Sequence, residues 1–151
     1  MVDTLSKKSR SKNMAAIRSK DTKPEMMVRR ALHKIGLRYR LHNRHLPGKP
    51  DLVFPKFKAV VFVNGCFWHA HECHLFKWPA TRELFWREKI GGNARRDQEN
   101  YEDLRKLGWK VGIVWECALM GSGKIDMDAV VGLISDWLSK PDSFIVLSGS
   151  N

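Results

Sequence analysis

Residues 51–63 of this 151-residue chain, DLVFPKFKAVVFV, contain the pattern that predicts its fold most directly. Residues 51–54 and 58–63 are rich in the β-branched and aromatic side chains that favour strands, and Pro55 opens the short turn between them. A connection this short predicts an antiparallel hairpin. The run AVVFV at 59–63 is apolar at every position, which is typical of a strand covered on both faces. The hairpin therefore predicts the centre of a sheet that has helices on both sides.

The residues before the hairpin predict a helix and a further strand. Thr22 and Glu25 have the spacing of a capping box, which marks the start of a helix. Apolar residues then recur with helical spacing as far as Gly36, so we expect a helix over residues 23–35 with one buried stripe. Residues 38–42 predict a short strand that precedes the hairpin.

The residues after the hairpin predict a helical connection to a fourth strand. A helix begins after Thr81 and continues to residue 107, and the pair Gly91-Gly92 is a point at which it can be interrupted. Residues 109–115 predict the fourth strand, and residues 126–138 a final amphipathic helix. The order helix, three strands, helix, strand, helix predicts a mixed α/β fold.

Length and composition fit a single domain that spans residues 1–151 with a mass of 17.5 kDa. The longest apolar run is far shorter than the roughly 18 residues that cross a membrane, and the N-terminus lacks the apolar segment of a secretory signal. We therefore expect a cytoplasmic protein without a membrane partner. Three cysteines, an odd number, do not form a disulfide framework.

The charge distribution predicts a polyanionic partner. The chain carries 27 Lys and Arg against 16 Asp and Glu, which gives a net charge of +11. Such an excess favours nucleic acid, because binding phosphates releases counterions, although a basic protein need not bind one. Residues 1–20 form a basic arm, for which a clamp on the nucleic-acid backbone and a solvated terminus are the two interpretations. Residues 140–151 form a tail.

Cysteine and histidine side chains predict a zinc site after the third strand. Five of them occur within nine residues: Cys66, His69, His71, Cys73 and His74. Cys117 follows the fourth strand and returns to this loop if strands three and four are neighbours. Three thiolates and one imidazole form a closed tetrahedral zinc site, which is typical of a structural metal. Spacing leaves the fourth ligand open between the three histidines, and buried cysteines with surface histidines are the alternative without a metal.

Because a closed zinc site has no open position, catalysis requires other residues. Asp51 begins the second strand after a Pro-rich turn, so its carboxylate can bind Mg²⁺ at the end of the sheet; a turn-capping aspartate is the alternative. Glu25 lies on the first turn of its helix and faces the buried side, where structural and functional roles are compatible. His69 can act as general acid or base if it is not a zinc ligand.

Seven of the fifteen aromatic residues lie between residues 62 and 86: Phe62, Phe67, Trp68, Phe76, Trp78, Phe85 and Trp86. Phe67 and Trp68 stand between Cys66 and His69, in a loop that a bound metal would hold near the surface. Rigid aromatic side chains on a basic surface can stack on bases or wedge between base steps. The alternative is a small apolar core beneath the loop.

Several motifs resemble the very-short-patch-repair (Vsr) DNA mismatch endonucleases. The most specific are NGCFWHAHEC at residues 64–73 and VWEC at residues 114–117. Further matching stretches are LFKWPATR at 75–82, FW at 85–86, EKI at 88–90, RSKNM at 10–14 and LPGKPD at 46–51. The resemblance extends from about residue 9 to residue 120, which is most of the chain.

The resemblance implies a restriction-endonuclease-like fold and nicking of DNA on the 5′ side of a thymine mispaired with guanine, the lesion left when 5-methylcytosine deaminates. It implies that Asp51 and the Val63 backbone carbonyl bind Mg²⁺, that His69 is the catalytic histidine and that Glu25 supports the metal-bound water. It implies structural zinc on Cys66, His71, Cys73 and Cys117. Val63 and Asn64 stand where the best-known member of the family has threonine and histidine.

The resemblance also implies how DNA is bound. Three aromatic side chains would enter the duplex near the mismatch: Phe67, Trp68 and Trp86. Further contacts with DNA would come from Lys12, Asn13, Met14 and Lys89. The expected partners are a T:G duplex and, functionally, a cytosine-5 DNA methyltransferase and mismatch-repair proteins, with the protein itself a monomer. A restriction-type nuclease that cuts both strands and a catalytically silent zinc-containing DNA-binding module are the rival functions.

Overall fold

The computed structural model describes residues 21–73, 76–141 and 144–150. In this part of the chain the strands are β1 (Arg40–Leu41), β2 (Leu52–Phe54), β3 (Ala59–Asn64), β4 (Lys110–Trp115) and β5 (Phe144–Leu147). The helices are α1 (Lys23–Lys34), α2 (Glu83–Lys106), α3 (Glu116–Leu119) and α4 (Met127–Leu138), and a 3₁₀ turn covers Pro55–Phe57.

The strands form a mixed sheet in the order β1-β2-β3-β4-β5. β1, β2 and β3 are antiparallel neighbours, and Leu52 pairs with Val61 in the predicted hairpin. α2 then returns the chain so that β4 runs parallel to β3, and β5 runs parallel to β4. The predicted hairpin, the helical connection and the mixed α/β order are confirmed.

β3 is the central strand, and all six of its residues are buried. Because alternate residues of a strand face opposite sides of the sheet, β3 contributes to two separate cores. Val61 and Val63 pack with α1, α3 and α4 on one face, while Val60 and Phe62 pack with α2 on the other. The sheet therefore has helices on both faces, as the apolar run predicts.

The sequence does not predict β5 or α3. Phe144–Leu147 lies within the predicted tail and pairs with β4, and α3 is a single helical turn directly after β4. Each element has only four residues, which is too few for periodicity to distinguish it from a loop. Their conformation depends on long-range pairing and packing around β4.

The long helix α2 continues through Gly91 and Gly92 without the interruption that the sequence allows, and it begins with Arg82 rather than Thr81 as its N-cap residue. Glycine costs a helix interior about 1 kcal/mol. Ile90 on one side of the glycine pair and Leu104 on the other are both buried, so tertiary packing holds the two halves together. Neither α2 nor another helix in the described ranges is long and apolar enough to cross a membrane.

The topology brings separate parts of the chain to one edge of the sheet. β3 and β4 are parallel, so Asn64 and Trp115 lie side by side where these strands end. β2 is antiparallel to β3, so Asp51, directly before β2, lies at the same edge. Cys117 follows β4 by two residues and is therefore close to the loop that follows β3.

Candidate active site and metal centre

A cleft of about 1200 Å³ opens at this edge of the sheet. Its walls come from the start of α1, the end of β3, the loop after β3 and the middle of α2. Asp51, Val63, Phe67, Trp68 and His69 line it. The structure therefore brings the expected Mg²⁺-binding positions, the expected catalytic histidine and two of the expected DNA-contacting rings into one cavity.

Asp51 is only 7 % exposed at the bottom of this cleft. The Val63 backbone N–H donates a 2.7 Å hydrogen bond to Asp51 Oδ2, so the end of β3 fixes the carboxyl group. Burial raises the pKa of Asp51 to about 8; the Val63 N–H opposes this rise, and the nearby Glu25 carboxylate adds to it. A divalent cation beside Asp51 would offset these unfavourable effects and stabilise the charged carboxylate.

Glu25 is buried in a polar network at the start of α1. Its backbone N–H bonds to Thr22 Oγ1 at 3.3 Å, as the capping box predicts, and its Oε1 accepts a 3.0 Å bond from the Asp21 N–H. Arg29 Nη1 donates to Oε2 at 3.2 Å, and His42 Nε2 lies 2.8 Å from the same oxygen. The capping role thus coexists with an electrostatic effect on the cleft, because this carboxylate contributes to the pKa shift described above.

His69 pairs with an acid that the sequence does not single out. Its Nδ1 hydrogen-bonds to Oδ2 of Asp97, a residue of α2. One turn earlier on α2, Asn93 Nδ2 donates a 3.1 Å bond to the backbone carbonyl of Trp68. α2 therefore holds both the loop and the imidazole, and Nε2 is the ring nitrogen of His69 that Asp97 does not bind. Asp97 is 28 residues from His69, so no local spacing identifies the pair.

A second group of ligands lies beside the cleft. Cys66, His71, Cys73 and Cys117 place their sulfur and nitrogen atoms within 4.8 Å of one another. His71 Nδ1 is 3.4 Å from Cys66 Sγ and 3.6 Å from Cys117 Sγ. Tetrahedral zinc, with bonds of about 2.3 Å to sulfur and about 2.0–2.1 Å to nitrogen, separates such atoms by about 3.5 Å. The donor set and its spacing therefore fit Zn²⁺.

The surroundings of these ligands also suit a metal centre. Burial raises the pKa of the Cys66 and Cys117 thiols, and a bound cation reverses this effect because the ligands are thiolates. The Gly149 N–H donates a 3.3 Å hydrogen bond to Cys117 Sγ, and this bond lowers the pKa of the thiol, as a bound cation would. Burial lowers the pKa of His71, which favours the neutral, metal-binding imidazole, and the ring stacks on Trp115 at 4.1 Å.

The structure distinguishes between the histidines that spacing leaves as candidates for the fourth zinc ligand. His71 lies with the cysteines, and His69 pairs with Asp97 instead. His74 lies outside the described residues, as does the predicted basic arm 1–20, which includes the predicted DNA contacts Lys12, Asn13 and Met14.

Comparison with known proteins identifies the family. The profile of the family DNA mismatch endonuclease Vsr matches residues 2–75. DNA mismatch endonuclease Vsr from Escherichia coli (strain K12) is 46% identical over 138 residues, which cover 91% of this chain and 88% of that protein. The chain belongs to the Vsr family. Type II nicking enzyme V.XorIIP from Xanthomonas oryzae pv. oryzae and V.NmeAIP from Neisseria meningitidis are also both 46% identical, over 83% and 79% of this chain and over 93% and 85% of their own lengths.

In this member of the Vsr family the expected DNA-contacting rings form a cluster beside the cleft. Phe67, Trp68 and Trp86 touch one another, with ring centroids 5.0, 5.7 and 6.0 Å apart. All three are half-buried and belong to neither of the two cores. The rings contact one another, as the alternative interpretation, a small apolar core beneath the loop, also predicts. The exposed part of each ring nevertheless leaves an aromatic surface beside the cleft.

Asn64 and Lys89, two further residues within the motifs shared with the Vsr family, differ in burial. Asn64 is buried at the end of β3, and its Nδ2 donates a 2.8 Å bond to Tyr101 Oη on α2. This bond ties the sheet edge to the helix that carries Asp97, and burial raises the pKa of Tyr101, so the phenol stays neutral. Lys89 is exposed on α2, three residues after Trp86 and therefore on the same side of the helix.

Proposed function

We propose that this Vsr-type DNA repair endonuclease nicks one strand of duplex DNA on the 5′ side of a thymine mispaired with guanine. The observation that carries the proposal is the placement of Asp51, His69 and the rings of Phe67 and Trp68 around one cleft. A buried carboxyl group, an imidazole and an aromatic surface are groups suited to hydrolysis directed to a weak point in a duplex. Membership of the Vsr family supports the substrate.

Asp51 and the Val63 backbone carbonyl would hold Mg²⁺. Bound there, Mg²⁺ supplies Lewis-acid stabilisation of the charge that develops on the phosphate and on the leaving 3′ oxygen. Glu25 would order water beside Asp51, because its carboxylate is itself fixed by Arg29 and His42. The raised pKa of Asp51 supports a cation at this position.

His69 would transfer the proton. With Nδ1–H donating to Asp97, the lone pair of the neutral ring is on Nε2, which can accept a proton from the attacking water. This proton would then pass to solvent, because in-line displacement places the leaving 3′ oxygen on the opposite side of the phosphate, where a water molecule can protonate it. Asp97 would keep the ring in the required tautomer and orientation, and would stabilise its protonated form.

Zn²⁺ on Cys66, His71, Cys73 and Cys117 would be structural, because four protein ligands leave no open position. It would fix the loop on which Phe67, Trp68 and His69 lie. The helix, three-strand, helix, strand order, with an acid at the start of β2, supports a restriction-endonuclease-like core.

DNA would be bound by three surfaces. The rings of Phe67, Trp68 and Trp86 would enter the duplex beside the mismatch, Lys89 would contact a phosphate nearby, and the arm 1–20 would clamp the backbone. The protein would act as a monomer in the cytoplasm. The lesion would arise where a companion cytosine-5 DNA methyltransferase has modified the DNA, and the repair would be linked to mismatch-repair proteins.

A panel of mismatched duplexes tests the proposal. Purified zinc-loaded protein and Mg²⁺ are incubated with end-labelled duplexes that carry each mismatch, or a matched pair, in varied flanking sequences. We expect one nick, 5′ of the thymine, in T:G duplexes. Asp51→Ala is the matched control and should bind the same duplexes without nicking them.

Two results contradict the proposal. Cleavage of both strands in matched duplexes assigns a restriction-type nuclease instead. Binding without cleavage by the parent protein, over a range of divalent metals, assigns a catalytically silent zinc-containing DNA-binding module.

A further inference from the structure

The net charge of the chain is concentrated in its first third. Residues 1–49 contain fourteen Lys and Arg against three Asp and Glu, so this segment alone carries the net charge of +11. Residues 50–151 contain thirteen residues of each sign and are neutral as a whole. Because summed charge determines long-range attraction, the pull on a polyanion comes mainly from the segment that includes α1.

Part of this charge forms a surface that is separate from the cleft. We call it the basic edge and define it by Arg30, His33 and Lys34, which are exposed on α1. With Arg29 and Tyr39, these side chains line a shallow cavity of about 290 Å³. The residues of α1 that line the cleft are at its other end, near the N-terminus of the helix.

The cations of the basic edge are available to a ligand. Neither Arg30 nor Lys34 forms an ion pair with a residue of the described ranges. Arg29, in contrast, pairs with Asp21 at 2.6 Å and with Glu25 at 3.2 Å. Lys34 and His33 have a structural use, because cations stabilise the C-terminus of a helix. Arg30 lies in the middle of α1 and has no such role.

The spacing along α1 sets how far the basic edge lies from the cleft. Arg30 and Lys34 follow Pro24, which lines the cleft, by six and ten residues. A rise of about 1.5 Å per residue places them about 9 and 15 Å along the helix. B-DNA extends about 3.4 Å per base pair, so for a duplex that leaves the cleft along α1 these distances correspond to about three to four base pairs.

We infer that the basic edge binds phosphates of duplex DNA that flanks the mismatch, about three to four base pairs from the cleft. The inference rests on the proposed function in one respect, that a duplex occupies the cleft. Arg30 and Lys34 contribute charge rather than base contacts, so they strengthen binding to matched and mismatched DNA equally. The basic edge thereby extends the DNA-binding surface beyond the aromatic cluster.

The double variant Arg30→Gln with Lys34→Gln tests the inference. Its matched control is Lys56→Gln with Lys106→Gln, which removes two exposed charges at the end of the sheet opposite the cleft. The measurement is the slope of log affinity against log salt for a T:G duplex and a matched duplex. Each lost phosphate contact lowers this slope by about 0.9. We expect a decrease of about 1–2 for the basic-edge variant with both duplexes, and none for the control.

Duplex length gives a second measurement. When the duplex is shortened from one side until it ends within two base pairs of the mismatch, the difference between the variant and the parent should disappear. Shortening from the other side should leave the difference unchanged. At saturating DNA the nicking rate of the variant should equal that of the parent, because the basic edge does not touch the reacting groups.

Some outcomes overturn the inference. Equal salt slopes for the basic-edge variant and the control exclude phosphate contacts by Arg30 and Lys34. A loss of affinity that persists on DNA shortened from either side places these two residues at the cleft instead. If only binding to vesicles of phosphatidylserine and phosphatidylcholine is lost, the basic edge binds an anionic lipid surface instead. A parent protein that never nicks, combined with the expected change in slope, refutes the proposed function and leaves this inference standing.

Discussion

The hydrogen bond between His69 Nδ1 and Asp97 Oδ2 occupies one imidazole nitrogen and leaves Nε2 for the proposed proton transfer. Asp97→Asn replaces an acceptor with an amide that can present its N–H to the ring, which favours the wrong tautomer. We expect the nicking rate at saturating DNA to fall by about 10²-fold or more, within the range that general acid–base catalysis contributes. Affinity for the T:G duplex should be unchanged.

Glu99→Gln is the matched control for Asp97→Asn, because Glu99 is an exposed acid two residues away on α2. It should keep the parent rate. A variant of Asp97 that loses affinity but not rate contradicts the positioning role and indicates that the acid holds the loop alone.

Asp51 leads to a prediction about pH. Burial raises the pKa of Asp51 from the ordinary 3.8 to about 8 in the metal-free protein. Between these values the folded protein holds a proton that the unfolded chain has released, so the free energy of unfolding decreases as the pH rises through this window. The side chain in Asp51→Asn stays neutral at every pH, so this pH-dependent part of the free energy of unfolding is absent from the variant. Its advantage over the parent should grow with pH, by at most about 1.4 kcal/mol per pH unit.

The measurement is the Tm of zinc-loaded, Mg²⁺-free protein between pH 5 and pH 8.5, for the parent and for Asp51→Asn. Added Mg²⁺ should raise the Tm of the parent above pH 7 and leave the variant unchanged. Parallel curves for the two proteins over the whole range refute a buried, protonated Asp51.

Single residues differ in how well the sequence predicts them. Asp51, His69 and Glu25 can be singled out because each stands at a recognisable place: the start of a strand, a cysteine-rich loop and a capping box. Asp97 and His42 cannot, since their partners are 28 and 17 residues away and only the tertiary fold brings them together. Spacing predicts three cysteines and one of three histidines as the zinc ligands. Only the path of the folded loop places His71 next to the cysteines.

At the scale of elements, the segment after β5 leads to a prediction about the metal centre. Gly149 packs so tightly that an added Cβ would lie 2.1 Å from the Cys117 backbone oxygen. Gly149→Ala therefore displaces the N–H that donates to Cys117 Sγ. We expect faster transfer of zinc to a chromophoric chelator, and a loss of stability of about 1–3 kcal/mol from overpacking.

Gly132→Ala on α4 is the control, because an added Cβ there meets nothing within 4 Å. Alanine also favours a helix over glycine by up to about 1 kcal/mol, so this variant should be as stable as the parent or more so. Equal zinc release from the two variants shows that the segment after β5 has no influence on the metal.

Cys117→Ala removes a ligand from the same centre. Elemental analysis should find about one zinc per chain in the parent, as a single four-ligand site requires. The variant should lose the metal or fold poorly, because the ligands come from two distant segments that a bound metal would join. A folded, active parent without zinc refutes the structural role.

The long elements and the hairpin strand β2 are predictable here, whereas β5 and α3 are not. β3 follows from its unbroken apolar run, and α1 from its cap and its stripe. β5 and α3 have four residues each, and their conformation comes from β4 and from the cores on either side. Gly91 and Gly92 show the opposite case, in which a strong local signal for a break is overcome by the packing of Ile90 and Leu104.

At the scale of the whole molecule, the proposed function depends on the convergence of several segments at one edge of the sheet. Parallel pairing of β3 and β4 brings the loop of residues 65–73 next to Cys117, and the antiparallel hairpin brings Asp51 to the same edge. The element order predicts this topology in outline, whereas the register and the cleft require the folded chain. The aromatic rings beside that cleft are the part of the molecule that would distinguish mismatched from matched DNA.

Trp68→Ala tests that distinction. A T:G wobble pair stacks less well than a matched pair, so opening the step beside it costs less, and a ring inserted there regains stacking energy. Trp68 is held by Phe67, Trp86 and the bond from Asn93, so little ordering is needed on binding. Its loss should weaken binding to T:G duplexes by about 1–3 kcal/mol. Binding to matched DNA, which depends on Lys and Arg, should change much less and keep its steep salt dependence. A fluorescent base analogue next to the mismatch should brighten when the parent binds and respond weakly to the variant. Equal weakening on matched and mismatched DNA, with zinc content intact, shows that the ring serves only the packing of its own loop.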